Sequence, residues 1–529
     1  MGLIDRIKNM FRKGGAAMGV IQSLGSITDH PKINIDPEEY RRIETDRRYF
    51  SGKFKDVFYR NTYGDQKSRP FVTLNMMKLV AQRFASLLYN EKSTITVETR
   101  PPKTDDNGDK QSYDEPDKAN VFVQGVLDAN DFDKNFERYL ESGMAMGGLA
   151  IRPYVDMSTG KVKLSWVQAP NFFPLKSNTN DITSAAIATP SQRTESGKVV
   201  YYTLLEFHEW TPDDYVITNE LYRSEVKGAV GVKWSLNSLY EGLEPETHIK
   251  GLSRPLFVYL KPAGFNNKNL VSPLGIGVCD NALSTLSQIN DTYDQLNWEV
   301  KMGQRRVAVP DSMIRVNYNE ATGKTEKVFD EDQNVYVSTG SMDDPKVTDL
   351  TTEIRGQEYI TVLNQLFKTL EMQVGLSVGT FSFDGQSVKT ATEVVSENSM
   401  TYQTRNSHLT MVERAVQELV VTICELAKAT DFNGSKIYTG TIPTIDQVSV
   451  DFDDGIFTDK GANADYWIKL EAAKMCPKWQ AVMHILGVTE TEAKRLVAEI
   501  NDETIDETPP LTNPKFDPTN DDDSSEDGD

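Results

Sequence analysis

The 529-residue sequence lacks long apolar runs, paired cysteines and clustered histidines. No run approaches the roughly 18 apolar residues that span a bilayer. The basic start MGLIDRIKNMFRKGG has neither the apolar core of a secretory signal nor the hydroxyl residue of a myristoylation signal. Cys279, Cys424 and Cys476 lie far apart, and the five histidines do not pair at metal-ligand spacing. We therefore predict a protein of a reducing cytoplasm with no membrane span, disulfide framework or zinc site.

Signatures of catalysis are also missing, because the sequence contains neither an HExxH nor a GxSxG motif. Gly323-Lys324-Thr325 resembles the end of a phosphate-binding loop, but Tyr318 stands where the first glycine belongs. In Asp451-Phe452-Asp453-Asp454-Gly455 the glycine comes one place early for an EF-hand loop, and the bidentate glutamate is absent. We interpret that segment as a solvated turn and predict no catalytic residue, no metal and no cofactor.

Positive charge is scarce. The formal net charge is −21; residues 501–529, with eleven acidic residues and one lysine, contribute −10, so the other 500 residues carry −11. Broad neutralisation of DNA phosphates needs a basic surface, which this composition disfavours. It is compatible with a surface along which DNA slides without sticking. The proline-containing acidic tail is predicted to be disordered, either for solubility or as a partner-docking segment.

Helical and β-type patterns occur in blocks along the first half of the chain. Apolar spacing predicts a helix over 73–91 and further helices within 117–146, which end at Gly147-Gly148. Residues 149–262 change to β-type segments separated by turn residues. At this length the sequence predicts an α+β fold with two or more structural regions.

Two amphipathic helices flank a compact β-rich segment, 307–350. The first helix, from Asp280 to about Arg305, is expected to be roughly 40 Å long. Its apolar stripe consists of Leu283, Leu286, Ile289, Tyr293, Leu296 and Val300. The second helix runs from Glu353 to Val374, and its stripe consists of Ile354, Tyr359, Leu363, Leu366, Phe367, Leu370 and Val374. On the pattern alone, both helices are also compatible with the core of an ordinary globular domain.

A Gly- and Ser-rich loop, 375–389, follows the second helix and carries Phe381 and Phe383. The two rings are compatible with a base-stacking platform or with simple packing of the loop against its neighbour. Thr390 and Glu393 then match a capping box, which predicts a helix to about Lys428.

The first part of that long helix, 396–408, is polar all round, which suits a helix that lines a wet cavity or bridges subunits. Its second part has a clear apolar face. A helix pair is predicted over 461–500, with a turn at Leu486-Gly487-Val488.

Six segments of this sequence match, in order, segments of one protein family. They are SITDHPKINIDPEEYRRI (26–43), RPFVTLNMMKLVAQRFASLLYNE (69–91), WVQAPNFFPLKSNTNDI (166–182), SRPLFVYLKPAGFNNKN (253–269), SPLGIGVCDNALSTLSQINDTYDQLNWEVKMGQRRVAVP (272–310) and KTATEVVSENSMTYQT (389–404). In these segments the chain resembles the portal proteins of tailed bacteriophages, in particular of siphophages that infect Gram-positive bacteria. The last hundred residues match less distinctively.

The resemblance implies the phage portal fold, in which an α/β wing surrounds a two-helix stem and the subunits assemble as a ring. The implied regions are the wing 1–275, stem helix 276–306, the small β-rich clip 307–351, the second stem helix 352–374, the tunnel loop 375–389, a long kinked helix with a return to the wing 390–460, the helical crown 461–500 and the disordered acidic tail 501–529.

The same resemblance implies a non-enzymatic function. Portal proteins form a dodecameric channel at one capsid vertex of the virion, for DNA packaging, retention and ejection, and assemble in the host cytoplasm. The implied partners are double-stranded DNA, the large terminase, a head-completion adaptor, and the major capsid and scaffolding proteins. A minor virion structural protein without a channel stays open as an alternative, and a DNA-processing enzyme is disfavoured by the missing motifs.

Two groups of residues are expected to carry this function. Stem packing within and between subunits is assigned to Leu283, Leu286, Ile289, Tyr293, Leu296, Tyr359, Leu363, Leu366 and Leu370. The tunnel loop is expected to move at its glycines Gly375, Gly379 and Gly385. Its DNA-contact candidates are Phe381, Ser382, Phe383, Gln386, Ser387 and Lys389, with Lys389 as the one phosphate contact of each subunit.

Overall fold

The computed structural model describes most of the chain. The described residues are 23–60, 64–90, 93–101, 103–104, 110–111, 116–178, 181–303, 307–308, 315–319, 323–328, 348–349, 353–382, 399–452, 460–486, 488, 493–498 and 500. They fall into two compact units, Met1–Val388 with Glu397–Asp453, and Lys389–Ser396 with Asp454–Asp529. Helices and sheets occur together, as the sequence predicts for an α+β fold.

The helices of the described residues are α1 (Pro37–Ser51), α2 (Met76–Leu88), α3 (Lys118–Asp128), α4 (Phe132–Met146), α5 (Leu283–Met302), α6 (Gly356–Val374), α7 (Ser399–Ala429), α8 (Lys460–Ala472) and α9 (Lys478–Leu486). The predicted helices over 73–91 and within 117–146 are confirmed by α2, α3 and α4. Gly147 ends α4 with a left-handed φ of 85°, a conformation that favours glycine.

The strands of the described residues are β1 (Ser23–Leu24), β2 (Val57–Arg60), β3 (Gln66–Arg69), β4 (Thr94–Val97), β5 (Lys103–Thr104), β6 (Lys110–Gln111), β7 (Leu149–Asp156), β8 (Lys161–Gln168), β9 (Phe172–Asn178), β10 (Asp181–Glu195), β11 (Lys198–Trp210), β12 (Tyr215–Ser224), β13 (Gly231–Trp234), β14 (Glu246–Ile249), β15 (Val258–Leu260), β16 (Val307–Ala308), β17 (Arg315–Asn319), β18 (Lys324–Val328), β19 (Thr348–Asp349), β20 (Asp431–Phe432), β21 (Ser435–Lys436) and β22 (Val448–Asp451).

The largest sheet is an antiparallel meander in the order β1-β13-β12-β11-β10-β9, with β14 also paired to β12. Both faces of this sheet are buried, as strand β11 illustrates. Successive side chains of a strand point to opposite faces of the sheet. Leu205 and Phe207 belong to one apolar cluster, whereas Tyr202 and Leu204 belong to another. The sheet therefore lies between two apolar clusters of the first unit.

A second, three-stranded sheet in the order β15-β7-β8 supports the long helix α7, which packs on β7 and β15. A side chain at Gly148 has no room next to this sheet, because its Cβ would overlap the Tyr259 hydroxyl group. Helix α7 also packs against α2 and α3. This helix thus connects the N-terminal helices with the small sheet.

Several predicted helix boundaries are wrong. Helix α5 begins at Leu283, after a 3-10 turn at Asp280–Ala282, and its 20 residues give a length of about 30 Å instead of roughly 40 Å. The chain also breaks between α8 and α9, inside the segment expected to form one helix up to Leu486. Lys474 has a φ of 56° there, and Pro477 cannot continue a helix because it lacks an N–H.

Candidate functional site: a helix pair and the turn that follows it

Helices α5 and α6 form an antiparallel pair that is joined by polar contacts at both ends. The Thr285 hydroxyl donates to Gln373 Oε1 at 2.8 Å, near the start of α5 and the end of α6. At the opposite end, the Arg355 guanidinium donates to both carboxylate oxygens of Glu299, at 3.0 and 2.8 Å. These hydrogen bonds also lower the pKa of Glu299. The register of the pair is therefore fixed at two points.

The predicted stripes are divided between the core and the surface of one chain. The stripe residues that are buried are Leu286, Ile289, Leu363, Phe367, Leu370 and Val374. The half-buried ones are Leu283, Tyr293, Leu296, Tyr359 and Leu366. Val300 and Ile354 are 53% and 45% exposed, and α6 also exposes Val362 (48%) and Met372 (62%) outside its stripe. Part of each stripe thus serves the fold of the single chain, and other apolar side chains stay uncovered.

The segment between α5 and α6 begins and ends at the same end of the helix pair. A Cβ on Gly303, just after α5, would lie 2.7 Å from Ile354 Cγ1, just before α6. Strands β16 and β19 pair Val307 with Asp349 and Ala308 with Thr348, so the segment's ends are joined. Inside it, β17 and β18 form a hairpin. These strands confirm the predicted β-type character of the segment for its described residues.

The hairpin β2–β3 holds α5 through an ion pair that the sequence analysis missed. Arg69 donates to both oxygens of Asp294, each at 2.6 Å, and its guanidinium lies 4.6 Å from the Trp298 ring centroid. Tyr59 packs edge-on against the same tryptophan. Burial raises the pKa of Asp294, but hydrogen bonds from Arg69 and from the Val72 N–H outweigh it and lower the pKa.

A buried charged cluster connects α1 with the start of α5. Arg42 donates to Asp280 at 2.5 Å, to Glu39 at 3.1 Å and to the Gly275 carbonyl at 2.9 Å. Asp46 lies 3.6 Å from the same guanidinium, and neither of its oxygens has a hydrogen-bond partner among the described residues. Burial, followed by repulsion from Asp280, raises the pKa of Asp46 to about 8.

The turn after α6 is built around a buried carboxylate. Helix α6 ends at Gly375, whose φ is 77°. The Glu371 side chain accepts hydrogen bonds from the backbone N–H groups of Gly379, at 2.8 Å, and of Phe381. Burial raises the pKa of Glu371, although these N–H groups act in the opposite direction. The sequence signal for this role was an acidic residue in the last turn of a helix, where the dipole disfavours it.

A second contact ties this turn to the long helix. The Ser377 N–H donates to the Thr401 hydroxyl at 2.8 Å, the Thr401 N–H donates to the Ser377 hydroxyl at 3.2 Å, and the two hydroxyls lie 3.0 Å apart. Both residues are buried. Gly375 and Gly379, expected to allow movement, therefore stand in a turn that side chains hold at three positions.

The polar first part of the long helix faces the chain's own interior along one stripe. Thr401, Arg405 and His408 are buried. Arg405 Nε donates to the Leu87 carbonyl at 2.7 Å, and His408 Nδ1 accepts from the Ala263 N–H at 3.0 Å. Burial lowers the pKa of His408 to about 4. One stripe of this polar half is thus buried inside the chain, and whether its exposed side chains line a wet cavity or bridge subunits stays a prediction.

The loop residues predicted to contact DNA are placed only in part. Phe381 is half-buried and Ser382 is exposed, whereas Phe383, Gln386, Ser387 and Lys389 lie outside the described residues, as do the capping box at Thr390 and the acidic tail. Asp451 is exposed at the end of β22, and Asp453 and Asp454 also lie outside. Within the described ranges, no group of three or more His, Cys, Asp or Glu residues is arranged to hold a metal ion. No helix there has the length and apolar character of a membrane span.

Comparison with known families identifies the class of protein. The model of a phage portal protein family matches residues 29–506, most of the chain. The chain belongs to the phage portal proteins, and within them the matching family is the one described as SPP1 Gp6-like. It therefore has a portal, or head–tail connector, role as a structural component of the virion. No curated protein matches the sequence.

Several solved structures are similar to the chain over most of their length. A chain from the neck of an empty gene transfer agent (GTA) particle computed with C6 symmetry is 12% identical, with a TM-score of 0.37, over 85% of this chain and 94% of that chain. A chain from the virion of a native GTA particle has a TM-score of 0.38 at 12% identity, with the same two coverages. A chain from the native neck computed with C12 symmetry has a TM-score of 0.38 at 10% identity, over 89% and 98%.

Proposed function

We propose that the chain assembles into a closed ring of about twelve copies, whose channel passes double-stranded DNA during packaging, retention and ejection. One observation carries the proposal: the α5–α6 pair with an inserted β-rich segment at one end, in a chain matched by the portal family model over residues 29–506. A ring needs a surface that each copy presents to the next, and the exposed apolar residues of the pair supply one.

We propose that this pair is the stem of the subunit, and we propose the other regions from the resemblance to portal proteins. The stem consists of 276–306 and 352–374, and the clip, 307–351, projects from the end where Gly303 meets Ile354. The ladder of β16 and β19 at its base supports the clip as a separate module. The remaining regions are the wing 1–275, the tunnel loop 375–389, the long helix and wing return 390–460, the crown 461–500 and the acidic tail 501–529.

The partners are assigned to these regions. The clip docks the large terminase and later the head-completion adaptor, and the outer surface meets the capsid and scaffolding proteins at one vertex. The tunnel loop contacts DNA through Ser382, Gln386, Ser387 and Lys389. The turn held by Glu371 supports this role, because it gives the loop a fixed starting point on the stem.

The stem assignment is tested with side chains that the single chain leaves exposed. An aspartate at Leu286 would be buried inside the protomer and would disrupt folding before it affected assembly. The triple variant V300E/V362E/M372E places charges at positions that are 53%, 48% and 62% exposed. We expect it to remain folded by circular dichroism but to lose the ring, because unpaired charges would be buried between subunits.

The matched control is M157E/V199E/V226E, with one methionine and two valines that are 62%, 46% and 65% exposed away from the helix pair. We expect this control to assemble like the unaltered protein. Intact rings from the stem variant would show that the exposed side chains of α5 and α6 do not form the subunit interface.

A further inference from the structure

One described part of this acidic chain carries a net positive charge. Residues 41–69 contain nine basic and four acidic residues, a net charge of +5, whereas the whole chain carries −21. The segment begins in α1 and ends with β3. It is therefore an exception to the acidity that disfavours contact with nucleic acid elsewhere.

Four of the nine basic side chains are paired with carboxylates. Arg42 is part of the buried cluster with Asp280, and Arg69 binds Asp294. Arg41 pairs with Glu38, and Arg47 with Glu44, each three residues away on α1.

The other five basic residues, which we call the basic strip, are Arg48, Lys53, Lys55, Arg60 and Lys67. All five are exposed, and within the described residues no carboxylate lies within 4 Å of any of them. The Arg48 guanidinium also lies 5.6 and 5.8 Å from the ring centroids of Tyr49 and Phe54. No carboxylate of the described residues neutralises the five charges, so they are available to an anionic partner.

The backbone beneath the strip is held in place. Helix α1 ends at Gly52, whose φ is 64°, and a Cβ there would lie 3.1 Å from Asn75 Nδ2. The Asn75 amide donates to the Phe50 carbonyl at 3.2 Å. The Phe54 ring packs against Tyr49 and Phe71, with centroids 5.1 and 5.5 Å apart. The strip is thus presented on an ordered support.

Its composition indicates the chemistry of the partner. The core of a protein interface needs large apolar anchors, and among the described residues of 41–69 the one large apolar side chain that is strongly exposed is Phe58, at 66%. A polar surface with several unpaired cations is typical of contact with nucleic acid. From Lys53 to Arg60 the chain spans about 25 Å when extended, a length over which a duplex presents many phosphates.

We propose that the basic strip is a sequence-independent binding site for the phosphate backbone of double-stranded DNA. The inference deepens the proposed function, because it adds a DNA contact outside the tunnel loop. The net negative charge of the rest of the chain disfavours broad contact with DNA, so we expect contacts to be limited to the strip and the tunnel loop. Each side chain contributes one phosphate contact without reading bases.

Fluorescence anisotropy with a labelled 25-base-pair duplex and the full-length protein tests this site over a salt series. Five phosphate contacts predict a slope of log K against log salt of about −4.5, so affinity falls about 500-fold between 50 and 200 mM. The variant K53S/K55S/R60S/K67S is expected to reduce the slope to about −1, with at least a tenfold loss of affinity at 50 mM salt. A matched control, K161S/R193S/K198S/K227S, removes the same charges from exposed positions elsewhere and should bind like the unaltered protein.

Three results would overturn the site: an unchanged slope in the strip variant, an equal loss in both variants, or tighter binding of a peptide with the sequence 501–529 than of the duplex. The mass of the assembly, measured on the same samples, separates this inference from the proposed function. If the protein forms rings but the strip variant binds DNA like the unaltered protein, only the proposed DNA site is wrong. Strip-dependent binding by a protein that forms no ring would leave the site standing and contradict the portal proposal.

Discussion

Ser377 and Thr401 exchange backbone and hydroxyl hydrogen bonds, so that a turn after one helix is joined to the start of another. The pair lies 24 residues apart in the chain and is buried on both sides. The first residues of the loop that follows α6 are held by helix α7 and by the carboxylate of Glu371. The chain thereby sets where the proposed tunnel loop begins.

The first prediction concerns this pair. Replacing Thr401 with valine keeps the side-chain shape but leaves the buried Ser377 N–H without its acceptor, so the free energy of unfolding should fall by about 1–3 kcal/mol. Urea unfolding measures the change, and the exposed T410V serves as control, with an effect within about 0.5 kcal/mol. In a double-mutant cycle with S377A, strictly additive losses would contradict a direct interaction.

The second prediction concerns Glu371. In E371Q one carboxylate oxygen becomes an NH2 group, so either the Gly379 or the Phe381 N–H faces a donor. The lost hydrogen bond, about 1–3 kcal/mol, should accelerate hydrogen exchange at those amides about 5- to 150-fold. E358Q, at an exposed position in the first turn of the same helix, should leave exchange unchanged. Equal protection in E371Q and the unaltered protein would show that the carboxylate does not hold the turn.

The third prediction concerns Asp46. Its pKa in the folded protein is about 8, whereas an unfolded aspartate has a pKa of about 3.9. Between pH about 4 and about 8, Asp46 is protonated in the folded chain and ionised in the unfolded chain. The folded state therefore binds one more proton, and the contribution of Asp46 to the free energy of unfolding falls as pH rises through this range. D46N removes the effect, and its melting temperature relative to the unaltered protein should rise from pH 5 to pH 8. The exposed D56N should show no such trend, and a flat difference for D46N would contradict the assignment.

The fourth prediction concerns the clip. Because Gly303 and Ile354 are neighbours and β16 pairs with β19, a short Gly/Ser linker in place of 307–350 should leave the α5–α6 pair intact. We expect rings to form and binding of the large terminase, measured by pull-down, to be lost. Undiminished binding would move the docking site to the wing or the crown.

Strong periodic patterns were sufficient to predict much of the fold. The stripes of α5 and α6 identified both helices, because apolar residues recur there at helical spacing over many turns. Strand β10 lies inside the predicted β-type region, but its own sequence has no β pattern, since its core contacts come from alanines such as Ala185 and Ala186 and it includes Pro190. Such residues have low β propensity, and the neighbouring strands decide their conformation.

The contacts of the site residues were harder to predict, because their partners lie far away in the sequence and a local pattern does not reveal them. Arg405 and His408 lie on a helix half that is polar by composition, yet they bond to the backbone of Leu87 and Ala263, far away in the chain. Arg69 and Asp294 are separated by 225 residues. Buried polar groups are satisfied by whichever partners the fold brings to them, and those contacts become visible only in three dimensions.

The central claim, a portal ring, is tested most directly by the mass and shape of the purified protein. Twelve copies of the 59.4 kDa chain amount to about 710 kDa. Native mass spectrometry, with negative-stain electron microscopy of the same sample, should give a mass near this value and rings with a central channel. A protein that remains monomeric at micromolar concentration, or that forms particles without a channel, would contradict the account.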